Sequence, residues 1–210
     1  MLFDMDGLLV DTEPLWFETE GEVMARLGAS WSEEDQERLL GGSMDNTVGY
    51  LLSKATRPAP PAEVARWMTD GMLKRAAEGR VIVRPGAREL LAEIAAAGIP
   101  HALVTGSQRP FTEAVLAGTA LSFPVTVTGD DVTRAKPDPE PYLLAAKLLD
   151  ADPGQCVALE DSPNGVASAT AAGCHVIAVP SLLPIPQAPG RLVVPSLSEL
   201  SLATLRAMAA

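Results

Sequence analysis

The chain has 210 residues, 47% of them hydrophobic and 20% charged, with a formal net charge of −11 and a sequence pI of about 4.6. That size and composition suit one large globular domain, or one domain carrying a smaller one. The acidity argues against a general affinity for nucleic acid or anionic membrane surfaces, and no apolar run approaches the ~20 residues of a membrane span.

The first apolar residues, Met1-Leu2-Phe3, run straight into Asp4-Met5-Asp6-Gly7. A strand ending here leaves Asp4 at its tip, and a turn relaxed by Gly7 brings Asp6 alongside. Two such carboxylates repel unless a cation or a proton lies between them. Residues 13–27 carry an apolar helical face through Leu15, Trp16, Val23, Met24 and Leu27, with Pro14 placed for a first turn. Ser32 followed by Asp35 predicts a second helix start near 32–40, and helical patterns return over 45–54 and 62–78. Residues 13–79 therefore predict a helical unit inserted after the first strand.

From Arg80 onward helix and strand alternate. Strands are expected at 81–83, 101–105, 125–127, 156–159, 176–179 and 191–194. Helices are expected at 87–97, 109–117, 140–149 and 164–172, and from about 198. Short apolar strands between amphipathic helices predict an α/β fold with a parallel sheet covered on both faces. The expected division is an α/β core from 1–12 and 80–210, with a helical cap from 13–79. His101 and His175 open apolar runs and lack a third ligand, so neither reads as a metal site. Cys156 and Cys174 read as reduced core thiols, which together with the lack of a signal segment favours the cytoplasm.

Ligands of open parallel sheets gather at the carboxyl ends of the strands. Asp4 and Asp6 end the first strand, Thr105-Gly106-Ser107 ends the next core strand, Lys136 stands among prolines after the third, and Glu160-Asp161-Ser162 ends the fourth. Acids suited to a hard cation, N–H and hydroxyl donors, and one lysine form the set that phosphoryl transfer requires.

In their order and wording, Asp4-Met5-Asp6-Gly7-Leu8-Leu9-Val10-Asp11-Thr12-Glu13, Thr105-Gly106-Ser107, Lys136-Pro137 and Glu160-Asp161-Ser162-Pro163-Asn164-Gly165 resemble the haloacid dehalogenase-like hydrolases, in the branch with a helical cap after the first strand. The resemblance implies a Rossmann-like sheet of order 5-4-1-2-3 and a Mg²⁺-dependent phosphatase of small phosphorylated metabolites, acting as a monomer. It implies Asp4 as nucleophile and Asp6 as general acid and base. Thr105, Gly106, Ser107 and Lys136 would bind phosphate, while Asp4, Asp6, Asp161 and Glu160 would form the Mg²⁺ site. Residues near Trp16 and at Gly41, Gly42 and Met44 would face the substrate. Only three residues precede Asp4, fewer than such a first strand usually has, which points to a trimmed start.

Asp6 separates the chain from the dehalogenases, which lack that second acid. The sugar phosphomutases of this branch carry a cap arginine where Met44 stands and a histidine where Trp16 stands. Both absences weaken that alternative. Phosphonate hydrolysis needs a cap lysine facing the site, and neither Lys54 nor Lys74 lies in the loop expected there. A non-catalytic phosphate-binding module is opposed by the intact set of Asp4, Asp6, Lys136 and Asp161. The stretches Glu13-Pro14-Leu15-Trp16 and Leu159-Glu160-Asp161-Ser162 are especially similar to phosphatases of sugar and polyol phosphates.

Overall fold

The computed structural model describes residues 1–39 and 44–209. Strand β1 (Leu2–Phe3) is followed by β2 (Val10–Asp11) and four helices: α1 (Glu13–Arg26), α2 (Glu33–Glu37), α3 (Met44–Lys54) and α4 (Pro61–Ala77). The chain returns through β3 (Ile82–Val83), then runs α5 (Ala87–Ala96), β4 (Ala102–Val104), α6 (Arg109–Thr119), β5 (Val125–Val127) and α7 (Glu140–Leu148). It finishes with β6 (Val157–Glu160), α8 (Pro163–Ala171), β7 (His175–Ala178), β8 (Arg191–Val193) and α9 (Leu202–Met208). Among the described residues no helix is long and apolar enough to cross a membrane.

The main sheet has six parallel strands in the order β5-β4-β1-β6-β7-β8. Its first five members give the expected 5-4-1-2-3 arrangement, and β8 adds a strand beyond the fifth. Alternation along the strands gives the sheet two buried faces. Phe3, Leu103, Leu159 and Ile177 point into one apolar cluster with α5, α6 and α9. Leu2, Ala102, Ala158 and Val176 point into another with α7 and α8.

Residues 81–83, expected as one more strand, do not join this sheet. Ile82–Val83 instead pairs antiparallel with Val10–Asp11, so the two chain crossings to and from the helical unit form a ribbon of their own. Leu15 of α1 and Met72 and Ala76 of α4 belong to the same apolar cluster as the sheet residues Phe3 and Leu103. The far ends of the helices close on a separate cluster that includes Met24, Leu51 and Met68. Helix α2 starts where the Ser32 signal placed it. The Ser32 hydroxyl accepts from the Asp35 amide at 3.3 Å, and the Asp35 carboxylate accepts from the Ser32 amide at 3.1 Å. Asp35 also accepts from the Tyr50 hydroxyl at 2.7 Å and from Lys54, tying α2 to α3.

Glu20 is the exception inside the helical unit. Only 4% of its surface is exposed, and among the described residues its Oε2 and the buried Trp31 Nε1 lack hydrogen-bond partners. Burial, reinforced by the charge of Glu13, pushes the Glu20 carboxyl up to about 8. The folded chain thus holds a proton that the unfolded chain has released, and stability falls as pH rises from the ordinary glutamate value toward 8. Glu20→Gln should remove that loss. Chemical denaturation of the variant at pH 8 should show a gain of several kcal/mol over the parent, ~4 by linkage, shrinking to well under ~1 kcal/mol near pH 4.5.

Candidate active site

The carboxyl ends of β1, β4 and β6 meet at Lys136. Its ammonium donates to Asp4 Oδ1 at 2.6 Å, to Glu160 Oε1 at 2.6 Å and to the Val104 carbonyl at 2.9 Å. All three donor positions of the lysine are used, so it spans the three central strands as a clamp. Burial works against its charge, but Asp4 and Glu160 overcome this and hold Lys136 above the ordinary lysine value.

Glu160 is fully buried. The Tyr142 hydroxyl joins Lys136 on Oε1 at 2.6 Å, while the Asp161 amide donates to Oε2 at 3.1 Å and Ser162 at 3.4 Å. A Cβ at position 165 would lie 1.9 Å from the Glu160 carboxyl carbon, so only glycine leaves room for this side chain. Ser162 caps α8 by accepting from the Gly165 amide at 3.1 Å, which fixes the loop that carries Asp161.

Asp6 faces a different set of groups. Thr12 donates to its Oδ1 at 3.0 Å, while Ser107 and Thr105 donate to its Oδ2 at 2.7 and 3.3 Å. Burial raises the Asp6 carboxyl above its ordinary value, and these three hydroxyls work against the rise. The Ser107 amide turns back to Thr105 Oγ1 at 3.0 Å, and α6 begins at Arg109, where the sequence placed it.

Asp4, Glu160 and Asp161 bring carboxylate oxygens within 4.8 Å of one another. Burial raises Asp4 well above the usual carboxylate range against the pull of Lys136. Burial and the Glu160 charge push Asp161 up to about 7. Gly7, at φ +86°, comes so close to Asp161 that a Cβ there would lie 2.0 Å from Oδ2. An oxygen-only donor set with excess negative charge and this close backbone approach fits a hard divalent cation. The Asp6 carboxylate stands outside the three-acid group.

Of the residues expected near substrate, Trp16 is half-buried between the sheet cluster and the helical cluster, and Met44 rests on the helical cluster. Gly41 and Gly42 lie outside the described residues. A cavity of about 320 Å³ is lined instead by Gly7 and Ser181, both of which approach Asp161, and by Asp11, Glu13, Phe17 and Glu33. Ser181 also donates to Asp161 Oδ2. Sequence reasoning missed Ser181, although it follows the fifth parallel strand and the strand-end rule used for the other four points to it. Tyr142, inside a helix, carried no such signal.

The family model of haloacid dehalogenase-like hydrolases matches residues 1–179. The chain belongs to this family. It is 36% identical over 191 residues to protein CbbY of Cereibacter sphaeroides, covering 86% of this chain and 83% of that one. Hexitol phosphatase A of Escherichia coli is 38% identical over 179 residues, covering 85% of this chain and 81% of the other. The crystal structure of a mutant CbbY from Rhodobacter sphaeroides in complex with xylulose-(1,5)bisphosphate superposes with a TM-score of 0.85, at 34% identity and 97% coverage of both chains. As a member of this family with named phosphatase relatives, the chain is a phosphoric monoester hydrolase.

The Gly7 contact gives a direct test. Gly7→Ala strains a positive φ and drives a methyl into Asp161. Release of p-nitrophenol from p-nitrophenyl phosphate should fall at least about tenfold, because a displacement near 1 Å at reacting groups costs on that order or more.

Proposed function

We propose that the chain is a Mg²⁺-dependent phosphatase that hydrolyses the monoester of a small sugar or polyol phosphate through an aspartyl-phosphate on Asp4. The observation that carries this reading is the pairing of Lys136 with Asp4 at 2.6 Å beside a second acid, Asp6, held by three hydroxyls. Lys136 orients the Asp4 carboxyl and opposes the rise that burial imposes on it, and its positive charge offsets charge on an incoming phosphoryl group. The Thr105 and Ser107 hydroxyls, which donate to Asp6 in the free site, would turn with the N–H groups of this segment to the phosphoryl oxygens when substrate binds.

In the first half-reaction an Asp4 oxygen bonds to phosphorus and the ester oxygen leaves, taking the proton of Asp6. The raised Asp6 carboxyl suits a donor of that proton. In the second, Asp6 removes a proton from the water that attacks phosphorus, and the acyl phosphate bond breaks to give inorganic phosphate and free Asp4. When bound, Mg²⁺ supplies positive charge for the phosphoryl oxygens. Asp4 and Asp161 would hold it directly with the backbone carbonyl of Asp6, and Glu160 would take part through the groups it orients.

The substrate class rests on hexitol phosphatase A and on the sugar bisphosphate bound to mutant CbbY. The cytoplasm is proposed as its location, in keeping with the free thiols of Cys156 and Cys174. The helical unit, residues 13–79, would act as the cap that closes over substrate.

Asp4→Asn removes the nucleophile while keeping its shape. It should lower kcat for p-nitrophenyl phosphate by at least ~10³-fold with an unchanged circular dichroism spectrum. Unchanged Mg²⁺-dependent phosphate release would refute the nucleophile assignment. Chelation by EDTA should abolish turnover of the parent, and added Mg²⁺ should restore it.

A further inference from the structure

The cavity lined by Gly7 and Ser181 carries an uneven charge. Among the described residues its lining brings three carboxylates, Asp11, Glu13 and Glu33, and a single cation, Arg84. The Glu13 backbone N–H donates to Asp11 Oδ1 at 3.2 Å, and the Gln36 side-chain Nε2 donates to both the Glu13 carbonyl and Oε2 at 3.1 and 3.3 Å. These contacts fix two of the carboxylates across the start of α1 and leave acceptor capacity on each, since a carboxylate offers about four lone-pair sites. Thr12, between Asp11 and Glu13, holds Asp6. The acidic wall is therefore continuous with the proposed proton donor.

Among the described residues no lysine or arginine of the helical unit lines this cavity, and five of the seven, all but Arg57 and Lys74, are engaged by partners elsewhere. Arg38 pairs with Glu34 at 2.6 Å, Lys54 with Asp35, Arg66 with Glu63 at 3.7 Å, and Arg75 with Glu22 at 2.7 Å. Arg26 lies over the Trp67 ring, 5.4 Å from its centroid. Residues 40–43 are Leu-Gly-Gly-Ser and add no charge by sequence.

We infer that this cavity receives the leaving group and selects a neutral, polyhydroxylated one, discriminating by charge against substrates with a second phosphate at the far end. Hydroxyls of a sugar or polyol donate to Asp11, Glu13 and Glu33, whereas a second phosphate meets three like charges, with Arg84 to oppose them. The inference rests on the phosphatase reading above and narrows its substrate class. In this respect the chain would differ from the CbbY relative whose mutant binds a bisphosphate.

The test compares glucitol 6-phosphate with glucitol 1,6-bisphosphate at fixed free Mg²⁺, with p-nitrophenyl phosphate as a reference. The parent should favour the monophosphate by at least about tenfold in kcat/KM. Raising NaCl from about 50 to 500 mM should narrow that gap several-fold, because salt screens repulsion between accessible charges. In Glu33→Lys the bisphosphate-to-monophosphate ratio of kcat/KM should rise about tenfold, and in Glu33→Gln by less. Equal or better parental turnover of the bisphosphate, or a salt-independent gap, would overturn the charge selection while p-nitrophenyl phosphate turnover left the phosphatase reading standing. No Mg²⁺-dependent turnover of any of the three esters would overturn both. The parental ratio and its salt dependence decide the matter even if the lysine variant does not fold.

Discussion

The site depends on one buried cation. Lys136 reaches across the ends of three adjacent strands and binds the Asp4 carboxylate, the Glu160 carboxylate and the Val104 carbonyl together. Without it Asp4, Glu160 and Asp161 would form an uncompensated group of buried acids, an arrangement more costly than any single contact the fold gains there. With it the acids are sorted. Glu160 is consumed in holding the lysine, Tyr142 and the Asp161 loop, while Asp4 keeps its second oxygen and Asp161 keeps an oxygen apart from Ser181. The lysine is thus a structural tie and an electrostatic one.

Two glycines show how closely backbone and charge are fitted around that tie. Gly165 leaves the volume that the Glu160 carboxyl fills, and Gly7 lets the turn after β1 come against Asp161. Neither substitution to alanine changes a charge, yet each would move one. The same turn bonds to β2, because the Gly7 amide donates to the Val10 carbonyl at 2.8 Å. The backbone that carries Asp6 is consequently continuous with the ribbon leading to the helices.

Much of this was legible in the sequence because strand ends in a parallel sheet converge. Asp4, Thr105, Lys136 and Glu160-Asp161 could each be placed at an end before any contact was known, and the structure brings Asp4, Lys136, Glu160 and Asp161 into direct or near contact. Features set by tertiary packing were not legible. Ile82–Val83 has the composition of a sheet strand, but its partner is a two-residue strand, Val10–Asp11, too short to show any periodicity. Tyr142 looks like any apolar helical residue until Glu160 is found buried against its hydroxyl. Trp16 shows why an aromatic near a motif is ambiguous, since its ring is half-buried between two apolar clusters.

The position of β1 has a consequence for how the molecule comes together. The strand opens the chain yet lies inside the sheet, with Leu2 paired to Ala102 on one side and Ala158 on the other. Both partners are remote in sequence, so the loop-closure entropy of nearly the whole chain must be overcome before β1 is held from both sides. The ladder runs on into the site, since the Asp4 amide donates to the Leu159 carbonyl of β6 at 3.1 Å. The pairing that seats β1 inside the sheet is thus the same one that brings Asp4 to the strand ends beside Lys136 and Asp161.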